Sequence, residues 1–327
     1  METSFKSLTE EDKELISNFY HKNIQTKEGK PLMSMEEIQD HLSDHFKVTT
    51  RTIRNWAKNL NLHNTHASYT PAKILCFDIE TAPMEVRTFR TWGVDITPNM
   101  ILRDWFMICW SAKWLFDDKV YSMRQTKKEV LAGDDERITK GLWEMVNEAD
   151  MVVAHNLDKF DKKKMNTCFI KHGLNLPSPY QSIDTLKHLR KTFAITHNRL
   201  DFVAERFFGI QGKMKNPPGL WDRCVEGSVD DLRQMSLYCD QDVRVLEEVY
   251  LRIRPYMQPH PNVGLFIGGD VEVCATCGSD ELDWGGEYHT SLNVYQAYRC
   301  ECGALGRSRK SSLSVKDKKH LTASNPR

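Results

Sequence analysis

The chain has 327 residues, of which 40% are hydrophobic and 28% are charged, and its formal net charge is zero. This length favours two or three domains, and the composition is that of an ordinary soluble globular protein. No apolar run approaches the ~18 residues that span a bilayer, and the N-terminus has no signal-peptide core. We therefore exclude a membrane protein and expect a soluble protein of the bacterial or host cytoplasm.

Residues 1–62 have the sequence pattern of helices alone. Near the end of this segment, two short predicted helices are separated by the tight turn "KV". The second of them carries Arg51, Arg54 and Lys58 mostly on one face and apolar residues on another. This pattern predicts a small all-α, helix-turn-helix-like module that contacts DNA through the three basic residues. A three-helix packing module with a solvated basic face is the alternative.

Predicted strands and helices alternate from Lys73 to about Arg252. Three strands come one after another and two more alternate with helices, namely "KILCFDIE", "FMICWSAKWLF" and "KVYSMRQ", then "DMVVAHN" and "SIDT". The longest predicted helix is "SVDDLRQMSLYCDQDVRVLEEVYLRI". This order predicts an α/β domain over 73–252 in which helices flank a mixed sheet.

The first predicted strand ends on two acidic residues, in "FDIET". Since residues two apart in a strand share a face, Asp78 and Glu80 project together while Ile79 points the other way into apolar packing. Neighbouring carboxylates repel each other, which raises a pKa or requires a cation. Taken alone, the pair fits a solvated sheet edge equally well.

Two further motifs add acidic residues to the same domain. In "HNLDKFD", Asn156 ends a second buried strand and Asp161 lies in the first turn of a helix, although Asp158 is an alternative to Asp161. In "YCDQD", Tyr238 and Asp242 are four residues apart and therefore share a helix face. Carboxylates that offer only oxygen ligands favour Mg²⁺ or Mn²⁺ over zinc.

In this order the three motifs resemble those of the DEDD 3′→5′ exonucleases of the RNase H-like superfamily. The tyrosine is similar to that of the DEDDy subclass, which includes the proofreading domains of family-B DNA polymerases. The resemblance covers about residues 73–252, and the chain contains no polymerase palm. It implies two Mg²⁺ or Mn²⁺ ions about 4 Å apart, a water oriented by Tyr238, and a substrate contact from Asn156. The implied metal ligands are Asp78, Glu80, Asp161 and Asp242.

Four cysteines crowd into the C-terminal segment, in "CATCG" and "CECG". Four thiolates complete a closed tetrahedral site, which predicts one structural Zn²⁺ and a zinc ribbon over 271–306. Paired disulfides are the alternative. Residues 307–327 are basic and Ser-rich and are predicted to form a disordered tail, which adds phosphate affinity or only solubility. The predicted zinc ligands are Cys274, Cys277, Cys300 and Cys302.

Together these patterns predict a metal-dependent 3′→5′ exonuclease that hydrolyses nucleic acid, DNA favoured, at a single strand or 3′ end. A replication or repair polymerase is a candidate partner, and the domain combination looks like those of mobile elements and bacterial viruses. One alternative is a structure-specific or transposon-type endonuclease with an RNase H-like core, which the Tyr-xxx-Asp motif disfavours. The other is a non-catalytic DNA-binding regulator on a nuclease scaffold, which the complete set of acids disfavours.

Overall fold

The structure is a computed structural model. It describes residues 8–24, 26–27, 30–31, 35–50, 52–53, 56, 60, 72–210, 217–267 and 271–323. The chain divides into two compact units, one comprising Met1–Pro71 with Asn262–Arg327 and the other comprising Ala72–Pro261. Within the described ranges, no helix combines the length and the apolar character that crossing a bilayer requires.

The N-terminal segment contains two helices and a small apolar core. Helix α1 (Glu10–Ile24) begins after Thr9, whose hydroxyl accepts a hydrogen bond from the N–H of Asp12 at 3.1 Å. Two-residue strands, β1 (Thr26–Lys27) and β2 (Lys30–Pro31), pair before α2 (Met35–Phe46). The prediction of helices alone is therefore wrong at this hairpin, because strands of two residues are too short to show a sequence period. The buried core residues are Ile16, Ile38, Leu42, Ile53 and Trp56.

The basic face predicted to contact DNA was assigned to the helix that follows α2. Its residues Arg51, Arg54 and Lys58 lie outside the described part of the chain. From the same predicted helix, Ile53 and Trp56 are described and are buried. The helix-turn-helix-like module and its DNA contacts therefore stay predictions.

The second unit contains a mixed sheet and most of the helices. Its strands are β3 (Ile74–Thr81), β4 (Glu85–Val86), β5 (Ile101–Arg103), β6 (Met107–Trp114), β7 (Val120–Arg124), β8 (Met151–Ala154) and β9 (Gln181–Asp184). Its helices are α3 (Lys127–Ala132), α4 (Glu136–Asn147), α5 (Asp161–Lys171), α6 (Thr185–Thr192), α7 (Leu220–Val225) and α8 (Val229–Ile253). A π-helical turn lies at Phe202–Phe207, and 3₁₀ turns lie at Pro98–Met100 and Arg254–Tyr256.

Five strands form the central sheet in the order β7-β6-β3-β8-β9. Strand β3 pairs antiparallel with β6 and parallel with β8, and β8 pairs parallel with β9. These five strands are the five that the sequence predicts, so the predicted α/β class with a mixed sheet is confirmed. Because β3, β8 and β9 run in the same direction, their carboxyl ends meet at one edge of the sheet, where ligand sites of α/β proteins commonly lie.

Strand β3 contributes to both faces of the sheet because successive side chains point to opposite faces. Leu75, Phe77 and Ile79 lie in a core with the buried residues of α4 and α5. Burial of each such side chain stabilises the fold by about 1.5–3 kcal/mol relative to its exposure. The opposite face packs against α8, where the thiol of Cys239 contacts Asp78. The acidic residues of β3 therefore face α8.

The C-terminal segment forms a three-stranded antiparallel sheet. Its strands are β10 (Leu282–His289), β11 (Val294–Cys300) and β12 (Leu305–Ser311), and helix α9 (Val315–Lys318) follows. The prediction of a disordered tail from residue 307 is wrong for β12 and α9. The strand was not predicted because its sequence is mostly polar and charged. In the structure the guanidinium carbon of Arg307 lies 4.0 Å from the ring centroid of Tyr295, so an arginine makes the contact that an apolar side chain would ordinarily make.

Candidate active site and cysteine cluster

Asp78 and Glu80 lie in the second half of β3, on the face that α8 covers. They pair across the sheet with Ser111 and Cys109 of β6. Both carboxylates are partly buried. The thiol of Cys239, next in sequence to Tyr238, lies 3.5 Å from Oδ2 of Asp78. This register fixes both acids beside the predicted third motif.

The turn after β8 positions the second motif. Asn156 has a left-handed backbone conformation with φ of 77°, which Asn tolerates better than most residues. The carboxylate of Asp184, at the end of β9, accepts hydrogen bonds from the N–H groups of Asn156 and Asp158, both at 3.1 Å. It also accepts the N–H of Lys187 and so caps α6. Asp184 thus fixes the turn that leads into α5.

Asp161 is the first residue of α5 and is buried, with 1% of its surface exposed. Neither of its carboxylate oxygens accepts a well-formed hydrogen bond from any described residue. Asp158, the alternative ligand, instead forms an ion pair with Lys187 at 2.8 Å and keeps 36% of its side chain exposed. The structure therefore buries Asp161 and leaves Asp158 at the surface.

Helix α8 brings in the third motif. Tyr238 and Asp242 are 9% and 6% exposed and share one face of α8, and their side chains are hydrogen-bonded to each other. Asp240 points elsewhere and accepts a hydrogen bond from the hydroxyl of Ser111 at 2.6 Å. The helix begins at Ser228, whose side chain accepts the N–H of Asp231. The capped start and the buried apolar stripe fix the rotation that points Tyr238 and Asp242 at β3.

The site is electrostatically unfavourable without a cation. Burial, followed by the charges of Asp78, Asp242 and Asp161, raises the pKa of Glu80 well above its usual range. Burial and the charge of Asp78 raise the pKa of Asp161 as well, and its own N–H and that of Ile79 offset only part of this rise. The mutual effects show that residues distant in sequence lie within electrostatic reach of one another.

The donor set fits hard divalent cations. Every predicted ligand is a carboxylate, and the buried, unsatisfied oxygens of Asp161 lack the partners that buried charges ordinarily have. Among described residues, no three of these acids have ligand atoms all within 4.8 Å of one another, a spacing that the cysteine cluster does meet. Ligand atoms that are shared between two ions about 4 Å apart can lie farther than this from one another.

Trp221 of α7 belongs to the site and was not predicted. Its side chain is hydrogen-bonded to Glu80, and its ring meets that of Tyr238 edge to face with centroids 6.4 Å apart. It also lines a cavity of about 420 Å³ together with Trp105 and Lys164. No sequence signal identifies this residue, because the helix that carries it has six residues and no motif.

Asn156 and its neighbours line two adjoining cavities at the same sheet edge. Both contain Asn156 and Arg190, and one of them also contains Lys159, Lys187 and Lys191. His155 also lines one of these cavities, and its ring nitrogens lie 2.9 Å from the hydroxyl of Thr185 and 2.8 Å from a backbone oxygen of Asn198.

The four C-terminal cysteines converge. Their sulfur atoms all lie within 4.8 Å of one another. The Sγ atoms of Cys274 and Cys302 are 3.9 Å apart and those of Cys277 and Cys300 are 3.5 Å apart. These separations are close to the ~3.8 Å edge of a tetrahedron with Zn–S bonds of about 2.3 Å, and far from the ~2.05 Å of a disulfide. The cluster is therefore compatible with a zinc ribbon.

Each cysteine pair is followed by a glycine that the backbone requires. Gly278 and Gly303 have φ angles of 84° and 86°, in the left-handed region that side chains disfavour. At Gly278 an added Cβ would also lie 2.2 Å from Cδ1 of Ile267. These turns curl the chain so that both sulfurs of a pair point to the same centre.

Known proteins resemble the central domain. The RNase_H_2 model of the RNase_H superfamily matches residues 113–254, a range that contains Asp161, Tyr238 and Asp242 but not β3. The domain has an RNase H-like fold. Among solved structures, the family B DNA polymerase from the hyperthermophilic archaeon Pyrobaculum calidifontis is similar to the chain, with 20% sequence identity and a TM-score of 0.42. The similarity covers 57% of this chain and 25% of the polymerase, so the chain spans about a quarter of its length. No curated protein matches the chain.

Proposed function

We propose that the RNase H-like domain is a metal-dependent 3′→5′ exonuclease that hydrolyses nucleic-acid phosphodiester bonds, with DNA favoured. One observation carries the proposal: the buried Asp161, without a well-formed hydrogen bond from a described residue, lies within electrostatic reach of three further acids and Tyr238 near the carboxyl edge of the sheet. The RNase H-like fold supports a nuclease in general. The 3′→5′ direction is supported by the sequence resemblance alone.

The acids would hold the metal ions that the donor set favours. The ligands would be Asp78, Glu80, Asp161 and Asp242, with two Mg²⁺ or Mn²⁺ ions. When bound, such ions lower the pKa of an attacking water and stabilise the leaving oxygen. The protein supplies the rigid frame, since Asp78 and Glu80 are fixed by the β3 ladder and Asp161 by the turn that Asp184 organises.

Tyr238 acts as a hydrogen-bond donor. Burial and the neighbouring Asp242 raise its pKa above its usual range, so the phenol stays protonated at neutral pH and cannot serve as a base. With its proton donated to Asp242, the phenol oxygen would accept a hydrogen bond from the attacking water and so orient it. Trp221 holds the carboxylate of Glu80 and packs against the Tyr238 ring, which keeps both groups in place.

The test uses 5′-labelled single-stranded DNA and RNA with Mg²⁺, with Mn²⁺ or without divalent metal. The expected result is a metal-dependent ladder that shortens from the 3′ end, is lost in Asp161→Asn and is retained in Asp158→Asn. The second variant is a matched control, because Asp158 is three residues away, partly exposed and paired with Lys187. Internal cuts would instead support the structure-specific or transposon-type endonuclease. Binding without cleavage under every metal would support the non-catalytic regulator.

We also propose that the cysteine cluster holds one structural Zn²⁺ through Cys274, Cys277, Cys300 and Cys302. Elemental analysis of the purified chain is expected to give one zinc per molecule and less than half of that in Cys277→Ser. An unchanged zinc content in this variant would contradict the assignment. A replication or repair polymerase as partner stays a prediction from the sequence.

A further inference from the structure

The C-terminal sheet has one exposed face that carries two tyrosines and an arginine. Cross-strand partners of an antiparallel sheet share a face, and Tyr288 is paired with Tyr295 while Ala297 is paired with Arg307. The guanidinium carbon of Arg307 lies 4.0 Å from the ring centroid of Tyr295 and 5.5 Å from that of Tyr288. Tyr288 is 50% exposed. We call these three residues the Tyr-Arg surface.

The Tyr-Arg surface is not part of the apolar core of this segment. The core lies on the other face, where Tyr298 and Trp284 pack with ring centroids 5.0 Å apart beside the cysteine cluster. The extra residues of the bulges next to Ala297 lie on β10 and β12, while β11 itself runs without an insertion from Val294 to Cys300, so its Tyr295 and Tyr298, three residues apart, point to opposite faces. The stack of Arg307 on tyrosine rings therefore does not serve to fill that core.

The basic side chains around the Tyr-Arg surface form no ion pairs with described residues. Arg299, Arg307, Arg309 and Lys310 are all exposed. Among described residues of 271–323, the ion pair present is His289 with Glu287 at 3.2 Å, and none of the four basic side chains takes part in one. Asp283 is paired with Arg299 across the strands but forms no ion pair with it. The surface thus offers guanidinium groups to an anionic ligand.

We infer that the Tyr-Arg surface binds single-stranded nucleic acid, as a site separate from the carboxylates of the central domain. Exposed tyrosine rings on a sheet stack with unpaired bases, which every base permits, and the guanidinium group binds the phosphate backbone while keeping its contact with the ring. A folded acidic protein would use the charge but would not need two tyrosine rings side by side. The inference goes beyond the exonuclease proposal and does not depend on it.

The test measures binding without cleavage. The full chain carrying Asp161→Asn, with zinc retained and no added Mg²⁺, is titrated against fluorescently labelled single-stranded oligothymidylate and oligouridylate, with a DNA duplex for comparison. Adding Tyr295→Ala is expected to weaken single-strand binding about tenfold, as loss of one stacked base does. Arg307→Lys is expected to weaken it as well, because a lysine keeps the charge but not the planar stack. Gln296→Ala, on the opposite face, is the matched control and is expected to change nothing.

Zinc content and circular dichroism of each variant show that the sheet is intact. Affinity unchanged by both Tyr295→Ala and Tyr288→Ala would overturn the inference. Equal displacement of the oligonucleotide by polyglutamate and by unlabelled oligothymidylate would also overturn it, since charge alone would then explain the binding. Because cleavage is not measured, failure of the exonuclease proposal would leave this result unchanged.

Discussion

Two buried aspartates in the same domain have opposite surroundings. Asp135, before α4, accepts hydrogen bonds from the N–H of Met107 at 2.9 Å, from Lys171 at 2.9 Å and from His172 at 2.6 Å. Asp161 accepts no well-formed hydrogen bond from any described residue. Both side chains are 1% exposed. At equal burial, the carboxylate of Asp135 is therefore compensated by three donors, whereas that of Asp161 is compensated only in part.

The two surroundings shift the pKa values of Asp135 and Asp161 in opposite directions. Burial raises the pKa of Asp135, but the donors Met107, Lys171 and His172 outweigh it and hold that pKa below its usual value. At Asp161 burial and the neighbouring Asp78 act in the same direction, and the pKa rises. A compensated buried acid stabilises the fold, whereas an uncompensated one costs stability unless a ligand supplies the missing charge. This difference is a physical reason, independent of the sequence motifs, for the proposal that Asp161 binds a ligand and Asp135 does not.

The largest expected effect is that of Asp161→Asn on activity. The substitution removes a proposed metal ligand and is expected to lower the rate of hydrolysis by at least about 10³-fold. In the absence of divalent metal it is expected to leave the free energy of unfolding unchanged or higher, because an uncompensated charge is removed. Single-turnover assays and urea denaturation measure the two quantities. A variant that lost stability like a core mutant would show that Asp161 is structural.

Asp135→Asn is expected to lower the stability of the fold and to leave the rate of hydrolysis nearly unchanged. It leaves Lys171 and His172 beside a neutral group and is expected to lower the free energy of unfolding by about 3 kcal/mol at pH 7. The rate of hydrolysis per folded molecule is expected to stay within about twofold of the wild type, since Asp135 contacts no site residue. Urea denaturation and an active-site titration check both points. A rate loss comparable to that of Asp161→Asn would show that Asp135 also contributes to hydrolysis.

The Trp221→Phe variant tests whether the hydrogen bond from Trp221 to Glu80 contributes to the rate of hydrolysis. Phenylalanine cannot donate the hydrogen bond to Glu80, so this acid becomes less compensated, and we expect about a tenfold fall in the rate of hydrolysis. Trp143→Phe is the matched control, because Trp143 donates to a backbone oxygen of Asn175 at 2.7 Å on an exposed surface. Equal rates for both variants would show that the Glu80 contact is dispensable.

The smallest expected effect is on pH dependence. Because the pKa of Asp135 is lowered in the folded state, the unfolded chain binds the proton first as pH falls below about 3.9. The stability that Asp135 contributes is thus present above this pH and is lost as pH falls through the lower, folded-state value. The difference in unfolding free energy between wild type and Asp135→Asn is expected to shrink in that range. A difference that stayed constant down to pH 2 would contradict the assigned role.

Much of the central domain was predictable because its elements are long and periodic. The run ending at Asp78 and Glu80 reads as a strand, and the 25-residue α8 keeps one apolar stripe that carries Tyr238 and Asp242. That these motifs meet in one site was implied by the resemblance to the DEDD exonucleases. The roles of these acids stay predictions until activity is measured.

Other features could not be read from the sequence. Helices α3 and α7 have six residues each, too few for a period, although the Thr126–Glu129 capping box marks the start of α3. Composition does not reveal a change in hydrogen-bond spacing, so the sequence gives no signal for the π-helical turn at Phe202–Phe207. Compensation of Asp135 depends on residues 36 and 37 positions away, which only the fold brings near.

The packing of α8 on β3 affects when the candidate active site is assembled during folding. Asp78 and Asp242 are separated by about half of the chain, so bringing them together closes a long loop, and we expect this contact to form late in folding. A chain released before α8 has docked would carry Asp78, Glu80 and Asp161 without their counterparts. The ability to hydrolyse nucleic acid would then appear only when α8 docks on β3. The rate at which activity recovers during refolding would measure the rate of that docking.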